Sequence, residues 1–388
     1  MSLYLHNTLK NKKEEFIPVE EGRVKLYVCG PTVYDDSHIG HARAVLVFDL
    51  LVRHLRASGY QVLYVRNFTD LDDKIINRSQ AEGIHFLDLA NRYIKSFHED
   101  MDALNAFRPD IEPRATEYIQ LMIADIQGIL DAGYAYQIDG DVYYDVTHLS
   151  SYGCLSGRNI EDLQAGARVE VDERKRHPLD FALWKKSKPG EPSWPCPWGE
   201  GRPGWHIECS SMSNHLLGQE FDIHGGGHDL IFPHHENEMA QSKALGRRFA
   251  RYWLHNGFVR VNHEKMSKSL KNFFTVREVL NRFRPEVLRL FLLSKHYRSP
   301  IDFSDEGLSE TYRSLERAYR ALQAANEAIL EKQSVDSEPE VEAVLKAFHE
   351  AMDDDLNTAK ALGYIFDAVR ELNRLLDETE AGASKAEQ

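Results

Sequence analysis

Cysteine is scarce in this sequence, and no long apolar run is present. The longest apolar run begins at Ala44 and is far too short to cross a bilayer. Residues 1–13 carry lysines where a secretory signal needs an apolar core, which predicts a cytoplasmic protein. Four cysteines in 388 residues exclude a dense disulfide framework, so each thiol is buried, reactive or a metal ligand. They are Cys29, Cys154, Cys196 and Cys209.

Positive charge is also in deficit. The chain has 47 lysines and arginines against 61 aspartates and glutamates, which gives a formal net charge of -14. This balance excludes a generally basic protein that coats nucleic acid, so a polyanionic partner has to meet a local basic patch. A hydrophobic fraction of 42% is typical of a soluble globular protein, and the length predicts about two or three domains.

The order of the predicted elements indicates an α/β fold. Residues 24–29 alternate as a strand does, residues 41–58 repeat apolar side chains at helical spacing, and residues 61–67 form the next strand. Strand, helix and strand in this order open a nucleotide-binding parallel sheet, in which ligands lie at the strand-to-helix turn. The strand pattern returns at residues 221–224, before the glycine run at 225–227. An insertion is therefore predicted to split the sheet.

The tetrapeptide His38-Ile39-Gly40-His41, or HIGH, lies between a predicted strand and a predicted helix. Free backbone N–H groups and the positive end of the helix favour a phosphate there. Gly40 lets an adenine ring lie against the backbone, and His38 and His41 can stabilise charge that develops on an α-phosphate. In isolation, the tetrapeptide is equally compatible with a helix N-terminus that carries two exposed histidines.

The pentapeptide Lys265-Met266-Ser267-Lys268-Ser269, or KMSKS, lies in a polar segment between a predicted strand at 257–261 and a predicted helix at 276–283. Its two lysines are point charges on long stems, which can close over a triphosphate and follow charge to the leaving pyrophosphate. A solvated charge run is the alternative. We disfavour it because HIGH and KMSKS occur in the expected order and context, with a joint chance of accident of about a few per cent.

These two motifs resemble those of the class I aminoacyl-tRNA synthetases, and more narrowly those of the cysteinyl-tRNA synthetases. The narrower resemblance rests on four longer segments and extends from near the start of the chain to at least Leu376. As a set, segments of this length and number are highly specific. They are YVCGPTVY at 27–34, NFTDLDDK at 67–74, GRPGWHIEC at 201–209 and GGGHDLIFPHHENE at 225–238.

The resemblance implies a zinc site. Cys29, Cys209, His234 and Glu238 match the zinc ligands of the family, and the last two are four apart on a predicted helix, where they share a face. From the residues alone, a buried thiol is the favoured explanation for each cysteine. The resemblance further implies that zinc binds the thiolate of the substrate cysteine. Packing alone separates serine from cysteine by only about 1–3 kcal/mol, whereas a soft thiolate ligand discriminates better.

The resemblance also implies a pocket for the substrate cysteine. Gly30, Thr69 and Trp205 are expected around its amino and carboxylate groups, with His206 nearby, and Asp229 is expected to accept hydrogen bonds from the ribose of ATP. From the residues alone, Trp205 is better explained as a core aromatic residue and Thr69 as a loop cap.

The implied reaction activates cysteine with ATP and Mg²⁺ to cysteinyl-adenylate and then transfers it to the 3′ end of tRNA(Cys). A monomeric cytoplasmic enzyme with one zinc ion per chain and no membrane partner is expected. The expected catalytic residues are His38, His41, Lys265 and Lys268, and the ATP-binding residues are these four with Gly40 and Asp229. A basic surface for tRNA is predicted from Arg247, Arg248, Arg251, Arg284, Arg289, Lys295 and Arg298.

The full fold prediction is a Rossmann-type parallel-sheet catalytic domain, split by an insertion and followed by an α-helical bundle. Candidate helices after residue 303 are 308–330, 341–351 and 358–376, followed by a weakly patterned end from 381 to 388. The small domain that usually follows in the family is missing from the sequence, which puts anticodon recognition in doubt. The predicted boundaries are 1–115 for the first catalytic half with HIGH, 116–200 for the connective insertion, 201–262 for the second half with the zinc ligands, 263–310 for the KMSKS loop and stem-contact region, and 311–388 for the tRNA-binding bundle.

Two other functions are compatible with this sequence. The ATP-dependent cysteine ligase of mycothiol synthesis resembles the synthetase in its catalytic half, lacks the anticodon module and passes cysteine to an amino sugar. The complete set of metal ligands and the intact HIGH tetrapeptide favour the synthetase. A non-enzymatic RNA-binding relative with structural zinc is expected to have lost a motif histidine or lysine, whereas all four are present.

Overall fold

The computed structural model describes residues 2–160, 173–261, 264–265, 273–331 and 338–386. Thirteen strands in this part of the chain form four sheets, of which one is wholly parallel. The strands are β1 (Tyr4–Asn7), β2 (Lys12–Glu15), β3 (Arg23–Val28), β4 (Gln61–Arg66), β5 (Ala135–Ile138), β6 (Asp141–Tyr144), β7 (Phe181–Lys186), β8 (Gly201–Pro203), β9 (Glu220–Gly227), β10 (Phe249–Asn256), β11 (Val259–Val261), β12 (Glu264–Lys265) and β13 (Ile301–Phe303).

Helices connect the strands and make up nearly all of the described chain after β13. Short 3-10 turns or wider turns occur at Thr8–Lys10, Ala115–Tyr118, Val146–His148, His228–Leu230 and Ile231–His235. The α-helices of the described residues are Ile39–Ala57 (α1), Asp73–Glu82, Phe86–Ala103, Ile119–Asp131, Trp205–Leu217, Glu236–Ala244, Val276–Leu280, Pro285–Leu293, Asp305–Glu331, Glu338–Asp353 and Thr358–Ala386.

The four-stranded parallel sheet has the order β10-β9-β3-β4. β3 and β4 pair in register from Arg23 opposite Gln61 to Val28 opposite Arg66, and α1 connects them. The apolar residues of α1 that recur at helical spacing are buried against this sheet, which is why the sequence predicted the helix. The predicted strand, helix and strand are confirmed, with ends that differ by one or two residues.

β9 joins the second half of the chain to the first. Val28 of β3 lies opposite Gly225 of β9, and the Cys29 N–H donates to the Gly225 carbonyl at 3.1 Å. The predicted split sheet is thereby confirmed. β9 also contains the glycine run, although the sequence placed the end of the strand at His224. Glycine is a poor strand former in general, but at Gly225 a Cβ would lie 2.2 Å from the Phe48 ring of α1, so the close packing of helix on sheet requires it.

A second sheet, antiparallel and ordered β5-β6-β7-β8, lies between the two halves of the parallel sheet along the chain. Its side chains Tyr144, Phe181 and Trp184 are buried in one apolar cluster with Phe221 of β9 and Trp253 of β10. The insertion therefore shares a core with the parallel sheet. The predicted domain boundaries stay a prediction.

Asp355 joins the helical region to the rest of the molecule. It is 2% exposed and lies between the helices Glu338–Asp353 and Thr358–Ala386. Its carboxylate accepts hydrogen bonds from the His6 N–H, the Tyr297 hydroxyl and the Arg298 Nε, each at 2.8 Å. One buried charge thus connects β1, the segment before β13 and the helices.

The three long helices confirm the predicted ones but extend beyond them. The last helix continues to Ala386, through residues that the sequence analysis expected to be weakly patterned. Once a helix is nucleated, each further residue adds a backbone hydrogen bond, so a helix can continue past its last apolar residue, and periodicity alone misses such ends. Within the described residues, no helix is both long and apolar enough to cross a membrane.

We expect Asp355→Ala to lower the free energy of unfolding by about 2–4 kcal/mol, because it removes a buried acceptor of three hydrogen bonds and leaves their donors unpaired. Urea unfolding followed by circular dichroism measures this change. Asp367→Ala is the control, because Asp367 forms an exposed ion pair with Arg370 and is expected to change stability by less than about 0.5 kcal/mol. Equal effects of the two substitutions would contradict the role assigned to Asp355.

Candidate active site and metal centre

A cavity of about 650 Å³ opens where the four parallel strands end. Gly30 follows β3, Asp229 follows β9 and Gly257 follows β10, and all three line the cavity. The first turns of α1 contribute Gly40 and His41 to the opposite wall. Ligands of open parallel sheets bind at this edge, outside the carboxyl ends of the strands. The cavity is therefore the candidate active site.

The two histidines of HIGH stack on each other at the start of α1. Their ring centroids are 3.6 Å apart. The backbone N–H of His38 donates to His41 Nδ1 at 3.4 Å, and the backbone N–H of His41 donates to His38 Nδ1 at 3.2 Å. Because both Nδ1 atoms accept, the neutral form of each ring carries its proton on Nε2. Each imidazole can then offer one Nε2–H to an anion in the cavity.

Burial sets the charge of these two rings. It lowers the pKa of His38 to about 4, although the Asp229 carboxylate acts in the opposite direction. It also lowers the pKa of His41 well below its ordinary value, with help from His38 and Lys74. At neutral pH both rings are therefore uncharged, and they bind an anion through hydrogen bonds and not through net charge.

The described part of the KMSKS motif is its first residue. Lys265 lies in β12, where it pairs with Arg260 of β11, and Lys268 lies outside the described residues. The chain after the motif is tied to HIGH, because the Ile39 N–H donates to the Phe274 carbonyl at 3.1 Å. Phe273 lines the cavity and contacts the His38 ring edge-on at 5.1 Å between centroids. HIGH and the segment that follows KMSKS are therefore in contact in the folded chain.

The four predicted zinc ligands lie together beside the cavity. The ligand atoms of Cys29, Cys209, His234 and Glu238 are all within 4.8 Å of one another. Glu238 Oε1 is 3.1 Å from His234 Nε2 and 3.4 Å from Cys29 Sγ. Cys29 follows β3, whereas the other three come from the helical segments after β8 and β9. His234 lies in the helical segment Ile231–His235, which continues without a break into the helix Glu236–Ala244, so His234 and Glu238 form the i, i+4 pair that the sequence predicted.

The chemistry of this cluster fits a zinc ion. Two thiols, an imidazole and a carboxylate are ligand types that tetrahedral zinc takes. Burial raises the pKa of Cys29 well above its ordinary value and also raises the pKa of Cys209, so a cation is needed to hold both as thiolates. Glu238 is fully buried, and within the described residues it has no ion pair with a lysine or an arginine. A bound dication would supply the missing positive charge.

A second donor set overlaps the first. The ligand atoms of Cys29, His224, His235 and Glu238 also lie within 4.8 Å of one another. His235 Nδ1 is 2.8 Å from His255 Nε2, and burial lowers the pKa of both rings well below the ordinary value. The set with two thiols is the better match for zinc, which prefers soft ligands. Sequence reasoning missed His224 and His255, for which the recurrence of histidine after residue 205 was the only signal.

Two of the predicted cysteine-pocket residues line the cavity. Gly30 donates its N–H to Asn67 Oδ1 at 2.9 Å, and a Cβ at this position would lie only 1.6 Å from the Asn67 carbonyl oxygen. Trp205 is 37% exposed, and its ring stacks on the His234 imidazole at 4.1 Å between centroids. Trp205 therefore joins the cavity wall to the metal cluster.

The other two predicted pocket residues lie behind the wall. Thr69 is 1% exposed, and its hydroxyl donates to Glu208 Oε2 at 2.9 Å. His206 is buried with its Nδ1 2.9 Å from His234 Nδ1, and burial lowers its pKa to about 3. Neither residue lines the cavity. Glu208, which sequence reasoning missed, has its pKa raised well above the ordinary value by burial.

The predicted basic surface is largely paired with acids. Five of its seven members form ion pairs, which reduces the positive charge that they offer to a polyanion. Arg284 and Lys295 are the two members without an ion pair among the described residues. The pairs are Arg247 with Asp125, Arg248 and Arg251 with Glu220, Arg289 with Asp49, and Arg298 with Asp355.

Two family models match parts of this chain. Residues 15–313 match the model described as "tRNA synthetases class I (C) catalytic domain". The chain belongs to this family. A second model, described as "DALR domain", matches residues 347–388 of the synthetase, within the helical region.

Two curated relatives of this class I (C) synthetase are both named cysteine–tRNA ligase. The cysteine–tRNA ligase of Trichlorobacter lovleyi is 58% identical over 395 residues, which span 100% of this chain and 81% of the relative. The cysteine–tRNA ligase of Syntrophobacter fumaroxidans is 58% identical over 391 residues, which span 97% of this chain and 79% of that relative. The chain is thus similar to these enzymes over about four fifths of their length.

Solved structures support the fold. A methionyl-tRNA synthetase of Mycobacterium tuberculosis in complex with methionyl-adenylate superposes with a TM-score of 0.70. It is 17% identical to the chain, and the match covers 92% of this chain and 84% of that one. A second structure of that enzyme, bound by methionyl-adenylate, gives a TM-score of 0.66 at 18% identity. The TM-scores show a shared fold.

Gly30→Ala is expected to lower the free energy of unfolding by about 1–3 kcal/mol, because the new methyl group overlaps the Asn67 carbonyl and pushes the two backbone segments apart. Chemical denaturation measures the loss. Gly363→Ala is the matched control: Gly363 is an exposed glycine in the helix Thr358–Ala386 with no atom within 4 Å of a Cβ there. That substitution is expected to stabilise the chain by about 0.5–1 kcal/mol. A neutral Gly30→Ala variant would show that the close contact is unimportant.

Proposed function

We propose that this chain is a cysteinyl-tRNA synthetase that activates cysteine with ATP and transfers it to tRNA(Cys). The observation that carries the proposal is the buried pair of thiols, Cys29 and Cys209, which lie with His234 and Glu238 at the edge of a nucleotide-sized cavity. A soft donor set in this position suits a substrate that is itself a thiol. The names of the curated relatives point to the same activity.

The HIGH turn and the opposite wall hold ATP in this proposal. Neutral His38 and His41 donate through Nε2–H to the α-phosphate, where negative charge develops during displacement. Gly40 leaves room for the adenine ring, and the Asp229 carboxylate accepts from the ribose hydroxyls. The two KMSKS lysines, Lys265 and Lys268, bind the β- and γ-phosphates together with Mg²⁺.

The metal centre and the residues around it select the amino acid. Cys29, Cys209, His234 and Glu238 hold one zinc ion. When bound, zinc supplies a Lewis acid that lowers the pKa of a thiol and favours a thiolate over the hydroxyl of serine. The chain's own residues then orient the rest of the substrate. Gly30 and Trp205 line the cavity beside its amino and carboxylate groups, Thr69 supports this wall from behind through Glu208, and His206 supports the His234 ring.

The first step needs no general base. The cysteine carboxylate is already ionised at neutral pH, and its oxygen attacks the α-phosphorus of ATP, which breaks the bond to pyrophosphate. Hydrogen bonds from His38 and His41 stabilise the charge on the α-phosphate oxygens. In the second step a ribose hydroxyl of the tRNA 3′ end attacks the adenylate carbonyl, and AMP leaves. Positioning and charge stabilisation therefore account for both steps.

Metal analysis tests the proposed ligand set. We expect the purified chain to hold about one zinc ion, and Cys209→Ser to hold only a small fraction of that, because a neutral hydroxyl replaces a thiolate ligand. Elemental analysis after dialysis measures the content. Cys196→Ser is the control, since the Cys196 thiol donates to the Gly199 carbonyl and lies outside the cluster. Unchanged zinc in Cys209→Ser would overturn the assignment of Cys209.

Cysteine-dependent exchange of pyrophosphate into ATP tests the activation step, and transfer of labelled cysteine to tRNA tests the second step. We expect both activities. His41→Asn should lower kcat of exchange by about 10²–10³-fold, because it removes one donor to the developing charge, while zinc content stays unchanged. His215→Asn, an exposed histidine away from the cavity, is the control. Exchange without transfer to tRNA would direct the search to an amino-sugar acceptor.

A further inference from the structure

Arg43 is a buried arginine that has no acidic partner among the described residues. It lies two residues after His41 in α1 and is 0% exposed. Its Nη1 donates to the Phe258 carbonyl at 2.9 Å, and its Nη2 donates to the Ser299 carbonyl at 2.5 Å. Burial lowers the pKa of Arg43 to about 10, so the group still carries its charge at neutral pH. A buried charge without a counterion lowers stability, so a structural or functional reason for Arg43 at this position is expected.

One of the carbonyls that Arg43 contacts, that of Phe258, belongs to the far wall of the cavity. Phe258 lines the cavity opposite α1, as do its neighbours Gly257 and Val259. Val259 begins β11, which pairs in parallel with β13, and the Phe258 carbonyl also accepts from the Ile301 N–H of β13 at 2.9 Å. Arg43 therefore spans the distance between the helix that carries HIGH and the sheet that closes the other side.

Three of the four carbonyls that Arg43 contacts have another donor, as the Phe258 carbonyl does, whereas the Ser299 carbonyl has no second donor among the described residues. Nη2 makes two longer contacts, at 3.4 Å, to the carbonyls of His296 and Tyr297. The His296 carbonyl also accepts from the Ser299 N–H at 2.9 Å, and the Tyr297 carbonyl accepts from the Gly257 N–H at 2.8 Å. Removing the guanidinium thus deprives few backbone groups of their partners. Its main effect is the loss of a fixed spacing between two elements.

We propose that Arg43 is a positioning residue for adenylation, which holds α1 and the Phe258 wall at the separation at which His41 meets the α-phosphate of ATP. This inference rests on the proposed function, because it assigns the cavity to ATP. Arg43 itself touches no substrate and acts through His41 and the Phe258 wall. A guanidinium suits this task because its planar fork can donate to two carbonyls in one geometry, which a lysine cannot do.

The test is Arg43→Met, which keeps the length and the apolar stem of the side chain but removes all donors. We expect kcat/KM for ATP in cysteine-dependent pyrophosphate exchange to fall by about 10- to 100-fold, since small displacements of reacting groups cost this much. The KM for cysteine is expected to change by less than about twofold, because the zinc cluster lies on other segments. Arg43→Lys, with one ammonium group, should restore part of the loss.

Arg53→Met is the matched control. Arg53 also joins α1 to another element, through the Asn105 carbonyl at 2.7 Å, and it pairs with Asp49 of its own helix, but it does not line the cavity. We expect this variant to lose stability and to keep the ATP and cysteine KM values of the parent. The inference is overturned if Arg43→Met behaves in the same way, or if it raises the KM values for both substrates equally.

Direct binding separates this inference from the proposed function. Isothermal titration of Mg²⁺-ATP into the full chain needs no turnover, and Arg43→Met should weaken binding by about tenfold while zinc content stays at the parent value. If the parent binds ATP but shows no cysteine-dependent exchange, the proposed function fails and the ATP titration still decides the role of Arg43. Equal ATP affinity in the parent and in Arg43→Met would refute the inference.

Discussion

The parallel pairing of β3 with β9 is the constraint on which both sites depend. It places Cys29, at the end of β3, beside the glycine run at the end of β9, although about 200 residues separate them along the chain. The close approach of α1 to β9 at Gly225 then fixes the HIGH turn relative to the same strand ends. The cluster of candidate metal ligands and the cavity share this frame, so a shift of β9 would disturb both.

The elements that the sequence predicted well are those whose signal is local. The strand, helix and strand of the first half, the split sheet and the three terminal helices are confirmed, because apolar periodicity and turn residues lie within each segment. The errors lie at ends. β9 runs through three glycines that propensity alone would exclude, and the last helix continues to Ala386, beyond its predicted end at 376. The ends of these elements depend on tertiary packing, such as that of Gly225 against Phe48, which a local sequence pattern does not contain.

The site is less accessible from sequence than the fold. The four clustered ligand residues were found through resemblance to a family, since Cys29 and Cys209 lie too far apart along the chain to carry a joint signal with each other or with His234. Arg43 and Glu208 were missed because nothing marks a buried charge in a linear pattern; only the hydrogen bonds to Phe258 and Thr69 show what they do. Burial also makes the HIGH histidines neutral, which no motif states.

The spacing of the metal ligands has a consequence for synthesis on the ribosome. Cys29 emerges early, but Glu238 follows 209 residues later, after the antiparallel sheet of the insertion has left the exit tunnel. Domains fold as they emerge, from the amino end onward. A nascent chain shorter than about 240 residues therefore presents Cys29 without the carboxylate and imidazole that complete its cluster. The cluster and the parallel sheet that holds Cys29 are therefore both completed only after β9 and the segment that follows it have been made.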